Sequence, residues 1–228
     1  MQVSIRIFVT LLLISCHSLL AQTIKSNGIK KPSGCNLKFI FVPSLLIISG
    51  ISTNGNGEDG FKKEIAEERN EHFPKFGTRL DQYLQFSPIA IAYGLDGLGY
   101  KSKTALKNRT AVLLKGELFM TSAVFGLKRL THQLRPDNSG DNSFPSGHTA
   151  QAFAAATFLS EEYQSKFKWM PYLAYGIATS VGVLRMANNK HYISDVLLGA
   201  GLGILSMKVS YLTHQYKWSK EHKPNSIF

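Results

Sequence analysis

The sequence predicts an all-α helical bundle, membrane-embedded through several transmembrane helices, on three observations. Apolar stretches rich in Ala, Gly, Leu and Val recur at helical length. Hydrophobic residues make up 44% of the chain against 18% charged. Glycines cluster where helices must approach closely, as at Gly199, Gly201 and Gly203. At 228 residues the chain is one domain by length, large enough to bury a substantial core.

Taken in order, Met1 to Arg6 is a short basic start, Ile7 to Ile14 is apolar, and Ser18 to Ala21 precedes Gln22. This is the layout of a signal peptide removed after Ala21. An uncleaved anchor and a lipoprotein leader lipidated at Cys16 stay open as alternatives. All three send the domain out of the cytoplasm. Residues 22–36 are polar, contain Pro32 and Gly34, and read as a linker. Leu37 to Thr53 is the most hydrophobic stretch beyond the leader and a first membrane segment. Asn54 to Gly60 is a loop, and residues 61–85 mix acids and bases as a surface or interfacial segment does.

Ser87 to Tyr100 is apolar but short, and it carries Pro88 and Asp96. Four helices follow, at Arg109 to Leu127, His148 to Leu159, Pro171 to Leu184 and Asp195 to Leu212. The expected division is a leader at 1–21, a linker and first membrane segment at 22–85, a helical core at 86–212, and a basic tail at 213–228. Counting spans from an exported N-terminus places 54–108, 160–170 and the tail inside. Lys128 to His148 and Lys190 to His191 then fall together outside, and most lysines fall inside, as the positive-inside rule requires. Several stretches are shorter than the roughly 20 residues of a span, Lys115 and Glu117 interrupt one of them, and mean hydropathy is −0.05. A soluble periplasmic bundle is therefore the alternative.

A net charge of +11 implies anionic partners. The cations are spread from end to end with no block resembling a nucleic-acid arm, so a phosphorylated membrane lipid is the expected partner and nucleic acid is not. The two cysteines, Cys16 and Cys35, form no CxxC, and no His/Cys cluster has zinc-site spacing. Neither a metal nor another cofactor is indicated.

Three short stretches carry the chemistry. Lys128, Arg135 and Arg185 can surround the non-bridging oxygens of a phosphate, the arginines by fork geometry. Pro145-Ser146-Gly147-His148 precedes an Ala-rich helical run, whose first N–H groups point at anions, with Ser146 as a hydroxyl donor. His191 and Asp195 are four residues apart and would share one helix face. Asp195 can then bond one ring nitrogen of His191 and leave the other to attack phosphorus. His148 would protonate the departing oxygen and later activate water. Taken singly, each residue is a cap, a turn or a helix flank; in this order and spacing together, that reading fails.

Lys128 with Arg135-Pro136, then Pro145 to His148, then Arg185, His191 and Asp195 resembles the three-part signature of the type 2 phosphatidic acid phosphatase and vanadium haloperoxidase superfamily. The resemblance covers Arg109 to Met207. It implies an all-α bundle, His191 as phosphohistidine nucleophile, Asp195 as its orienter and His148 as general acid and base. Lys128, Arg135, Ser146, Gly147 and Arg185 are then the phosphate ligands. One departure is Leu184, where the family usually has Ser. The expected activity is hydrolysis of a lipid phosphomonoester or pyrophosphate of the lipid A, undecaprenyl pyrophosphate or phosphatidate kind, at the outer face of a bacterial inner membrane. The alternatives are a soluble broad-specificity acid phosphatase and a phosphate- or lipid-binding protein without turnover.

Overall fold

Small side chains decide how closely the helices lie. The computed structural model describes residues 38–55 and 60–215, and among these residues it contains eight helices and no strand. They are α1 (Lys38–Ser52), α2 (Phe61–His72), α3 (Leu80–Leu84), α4 (Ser87–Gly97), α5 (Leu106–Thr131), α6 (Gly147–Tyr163), α7 (Met170–Ala187) and α8 (Ile193–Thr213). The leader, Cys16, Cys35, the linker and the end of the tail lie outside the described residues.

Helix α8 is the spine. A Cβ on Gly199 would stand 2.6 Å from the Ser146 carbonyl oxygen, and one on Gly203 would strike that of Ala150, so α6 lies directly against this face. On another face, a Cβ on Gly201 would meet Ile47 at 2.7 Å and the Pro43 carbonyl at 2.8 Å, which seats α1. The close-approach role read from these three glycines is what the packing shows. Around the spine the core forms two layers. One gathers Met120, Val124, Leu127, Phe144, Leu198 and Leu202; the other gathers Val112, Phe158, Leu159, Tyr163, Met170 and Met207.

The two layers correspond to two ends of the bundle. At one end Asp81 bonds Arg185 and Ser194 bonds Asn54. At the other, Thr104 N–H donates to Glu162 Oε2 at 2.8 Å, Tyr211 donates to Glu162 Oε1 at 2.7 Å, and Lys166 reaches the Lys101 carbonyl. Helix α4 carries the chain from the first end to the second. The span count from the sequence placed all of 54–108 opposite the functional stretches. In the structure, residues 53–55 and 60–86 lie at the same end as those stretches, and 98–108 lie opposite. The polar residue that counted against α4 is satisfied there: Asp96 pairs with the fully buried Arg109 at 3.0 Å, and that guanidinium also donates to Ser102 and covers the Tyr93 ring.

Among the described residues two helices, Leu106–Thr131 and Ile193–Thr213, are long and apolar enough to cross a membrane. Outward faces elsewhere are apolar too, with Phe41, Val42, Leu45 and Ile48 exposed on α1 and Leu114, Leu118 and Phe125 on α5. Exposed apolar area of this extent is what a bilayer covers. Glu117, inside one of these helices, turns toward α6 and accepts from Gln151 at 2.7 Å rather than facing lipid.

The packing predicts opposite outcomes for two alanine substitutions. Gly203→Ala forces the α6 and α8 backbones apart and costs about 1–3 kcal/mol. Gly176→Ala, where nothing lies within 4 Å of the added Cβ, gains about 0.5–1 kcal/mol of helix propensity. Thermal melting of both variants in the same detergent checks the pair.

Candidate active site

The site is assembled from the end of α5, the loop after it, the start of α6, the end of α7 and the start of α8. Helix α7 ends where Asn189 takes a positive φ of 58°, a conformation Asn tolerates better than most residues. Backbone bonds from Asn188 to Leu184, Asn189 to Met186 and Lys190 to Arg185 close that turn. It delivers His191 just before α8. The expectation that His191 and Asp195 share a helix face is therefore corrected: His191 precedes the helix, and Asp195, in its first turn, reaches back. The reason is capping, because the Asp195 carboxylate accepts the Tyr192 N–H at 2.9 Å.

That same carboxylate organises the His191 ring. Asp195 is fully buried; its Oδ2 lies 3.3 Å from His191 Nδ1 and accepts the Ser143 hydroxyl at 2.5 Å. Ser194 donates to its Oδ1 at 3.3 Å. Both hydrogen bonds drawn to the His191 ring use Nδ1, so Nε2 is the nitrogen turned to chemistry. Burial lowers the His191 pKa below the ordinary imidazole value, with Arg185 and Lys128 pushing the same way and Asp195 opposing. The ring is thereby biased toward its neutral form.

The three cations converge. Lys128, Arg135 and Arg185 lie near enough to feel one another's charge and that of Asp195. Lys128 Nζ donates to the Asn142 carbonyl, and Arg135 Nε donates to Asn142 Oδ1 at 3.0 Å. Asn142 thus anchors two of the three. Arg185 is 6% exposed; its Nη1 donates to Asp81 Oδ2 at 2.7 Å, while its Nε is buried with no partner. A buried, unsatisfied guanidinium N–H beside two further cations is an opening for an anion.

Motif two meets this cluster through the start of α6. The Ser146 N–H donates to the Asp195 carbonyl at 3.0 Å, which ties motif two to motif three. The Ser146 side chain is fully buried and caps α6, with Oγ 2.9 Å from Thr149 Oγ1 and accepting the Thr149 N–H. Its hydroxyl is engaged in the cap, and the N–H groups of Gly147 and His148, first in the helix, have no intrahelical acceptor. His148 is half-buried and within electrostatic reach of Arg185, His191 and Arg135. Every site residue read from the sequence is therefore at this end of the bundle. Of the neighbours, Lys190 pairs with Asp137 at 2.5 Å, whereas His132 pairs with Asp141 on the exposed loop.

Sequence reading missed Ser143 and Asp81. Ser143 lies two residues before Pro145, and a hydroxyl there carries no pattern of its own. Asp81 is separated from Arg185 by 104 positions, and no spacing rule reaches that far.

Comparison with known proteins bears on the same residues. Residues 113–219 match the PAP2 superfamily model. Over 137 residues the chain is 38% identical to a lipid A 1-phosphatase of Porphyromonas gingivalis, covering 60% of this chain and 31% of that protein. It is 37% identical over 91 residues to phosphatidylglycerophosphatase B of Bacillus subtilis, covering 35% of this chain and 45% of the relative. The chain thus spans less than half of the length of these relatives. The crystal structure of Aquifex aeolicus LpxE superposes with a TM-score of 0.48 at 23% identity, over 64% of this chain and 93% of that one. The stretch that resembles the PAP2 superfamily contains Lys128, Arg135, Ser146, Gly147, His148, Arg185, His191 and Asp195, all the residues that the fold gathers at this end of the bundle.

Proposed function

We propose that this protein is a metal-independent lipid phosphatase that works through a phosphohistidine, with its site facing the periplasm. The observation that carries the reading is the buried His191–Asp195 pair beside three converging cations. His191 Nε2 attacks phosphorus while Lys128, Arg135, Arg185 and the α6 N–H groups hold the non-bridging oxygens. As the P–N bond forms and the P–O bond to the lipid breaks, His148 gives a proton to the leaving oxygen; the negative charge of the bound phosphate offsets the burial and the Arg185 cation that otherwise disfavour its protonated ring. The now neutral His148 takes a proton from water, whose oxygen attacks phosphorus and releases His191 and inorganic phosphate. Asp195 holds the imidazole in position and balances the charge it acquires in each half.

Among lipid phosphates, the lipid A class is favoured, because the relative named as a lipid A 1-phosphatase matches across 60% of this chain. Phosphate release from lipid A, undecaprenyl pyrophosphate, phosphatidate and para-nitrophenyl phosphate, measured with EDTA, tests the reading. Release from a lipid, unaffected by EDTA and abolished in His191→Ala, is expected. Equal rates on the soluble ester would favour a broad acid phosphatase instead.

The orientation is supported by the short loops opposite the site. Residues 98–105 and 164–169 carry Lys101, Lys103, Lys166 and Lys168 and no acid, the pattern of cytoplasmic loops. Helix α1 begins at that same end, so this orientation starts it on the cytoplasmic side. A leader removed after Ala21 would by itself start it outside. The loop lysines weigh more, since they flank helices directly on both sides of each connection. With Cys16 and Cys35 replaced by Ser, a Ser139→Cys variant should react with a membrane-impermeant maleimide in intact cells, and Ser165→Cys only after lysis. The reverse labelling would invert the orientation.

The lowered His191 pKa fixes the sign of two pH effects. Attack needs neutral imidazole, so the acid limb of kcat/KM assigned to His191 falls below the ordinary 6.5. The folded protein binds this proton less readily than the unfolded chain. The histidine term is therefore absent above 6.5 and becomes destabilising as pH falls below it. Rate and melting profiles from about pH 8 to about pH 5 check both, and His191→Ala should flatten its share of the second.

A further inference from the structure

We propose that Asp81 is a positioning residue that aims the Arg185 guanidinium at the phosphoryl group, with Asn188 holding Asp81 in place. The inference rests on the phosphatase reading above and adds to it a residue outside the three motifs and outside the matched stretch.

Asp81 is 1% exposed, and an ionised carboxylate at that depth persists only when paired. Its Oδ2 accepts from Arg185 Nη1 at 2.7 Å and its Oδ1 from Asn188 Nδ2 at 3.2 Å. Asn188 also grips the chain just before Asp81. It accepts the Thr78 N–H at 2.9 Å and donates to the Thr78 carbonyl at 2.9 Å. A third tie comes from Arg69, whose Nε and Nη2 donate to the Ala187 carbonyl at 2.8 and 2.6 Å. Residues 69–81 are thus fastened at several points to the end of α7, one turn from the nucleophile.

The geometry of the guanidinium gives this brace its meaning. Arginine has five N–H donors in a rigid plane. Asp81 takes one through Nη1, and Nε is left buried without a partner. Arg109 also has a buried, unpartnered Nε, but it lies among Asp96 and Glu162, whereas that of Arg185 lies in the cluster with Lys128, Arg135 and His191. A guanidinium fixed at one corner, with its Nε side presented to the site, is a preset ligand for phosphate oxygens. His148 lies within electrostatic reach of both Arg185 and Asp81, which places the brace beside the acid–base group as well.

The test uses full-length protein in detergent, comparing wild type, Asp81→Asn, Asn188→Ala and His191→Ala. Three quantities are read: kcat and KM on whichever panel lipid wild type turns over fastest, the inhibition constant for orthovanadate, and the melting midpoint. Asp81→Asn should lower kcat/KM by about 10- to 100-fold, the size typical of losing an outer-shell partner. Most of that loss should appear in kcat, and vanadate inhibition should weaken by a similar factor at an unchanged melting midpoint. Asn188→Ala should move the same quantities in the same direction by less. A wild-type rate in Asp81→Asn, or a rate loss matched by lost folded protein with vanadate inhibition intact, overturns the proposal. Should Asp81→Asn fail to fold, unchanged vanadate inhibition in Asn188→Ala overturns it instead. No phosphate release by wild type, or a wild-type rate in His191→Ala, overturns the phosphatase reading itself, and does so in proteins untouched at Asp81.

Discussion

The structure depends on one buried carboxylate. Asp195 receives the imidazole of His191, the hydroxyl of Ser143 and the N–H of Tyr192, while its backbone carbonyl receives the N–H of Ser146. A single residue therefore joins the end of the loop after α5, the start of α6 and the start of α8. Removing such a charge from water is costly unless several donors converge on it. The need to satisfy Asp195 and the need to orient a nucleophile are met by the same bonds.

The backbone packing beneath it serves the same end. Gly199 lets the Ser146 carbonyl approach α8 closely, and Gly182 makes room for Val196 beside Thr149. The two helices whose N-termini frame the anion site cannot slide without a backbone clash. At the opposite end, Arg109 with Asp96 and Glu162 with Thr104 and Tyr211 hold the loops between helices. That network contains no histidine, and its one arginine is paired among carboxylates rather than beside further cations.

Much of the site was legible because phosphate chemistry needs particular side chains at short spacings. Lys128, Arg135, His148, Arg185, His191 and Asp195 fall into three stretches, and the fold brings all three to one end. The helical architecture was legible for a similar reason, since apolar runs and the glycines of α8 are local patterns. What depends on distant partners was not. Asp96 looked like an obstacle to α4 because its partner Arg109 lies on another helix, and residues 61–85 looked peripheral because Asp81 meets Arg185 only after the chain has folded. The relation between His191 and Asp195 was read correctly in contact and wrongly in form, because capping geometry at a helix start places neighbours differently from a helix face.

The bond from Ser146 N–H to the Asp195 carbonyl has one more consequence. It bolts the anion-binding helix start to the helix that carries the orienting carboxylate, so the reacting parts form one rigid piece. The exposed loop from Asp137 to Asp141 meets that piece through the Lys190–Asp137 pair and holds Arg135 by two backbone bonds, Arg135 N–H to the Gly140 carbonyl and Asn138 N–H to the Arg135 carbonyl. The loop is thus coupled to a cation of the cluster, so a change of length between Asp137 and Asp141 would shift Arg135 as well as the approach to it.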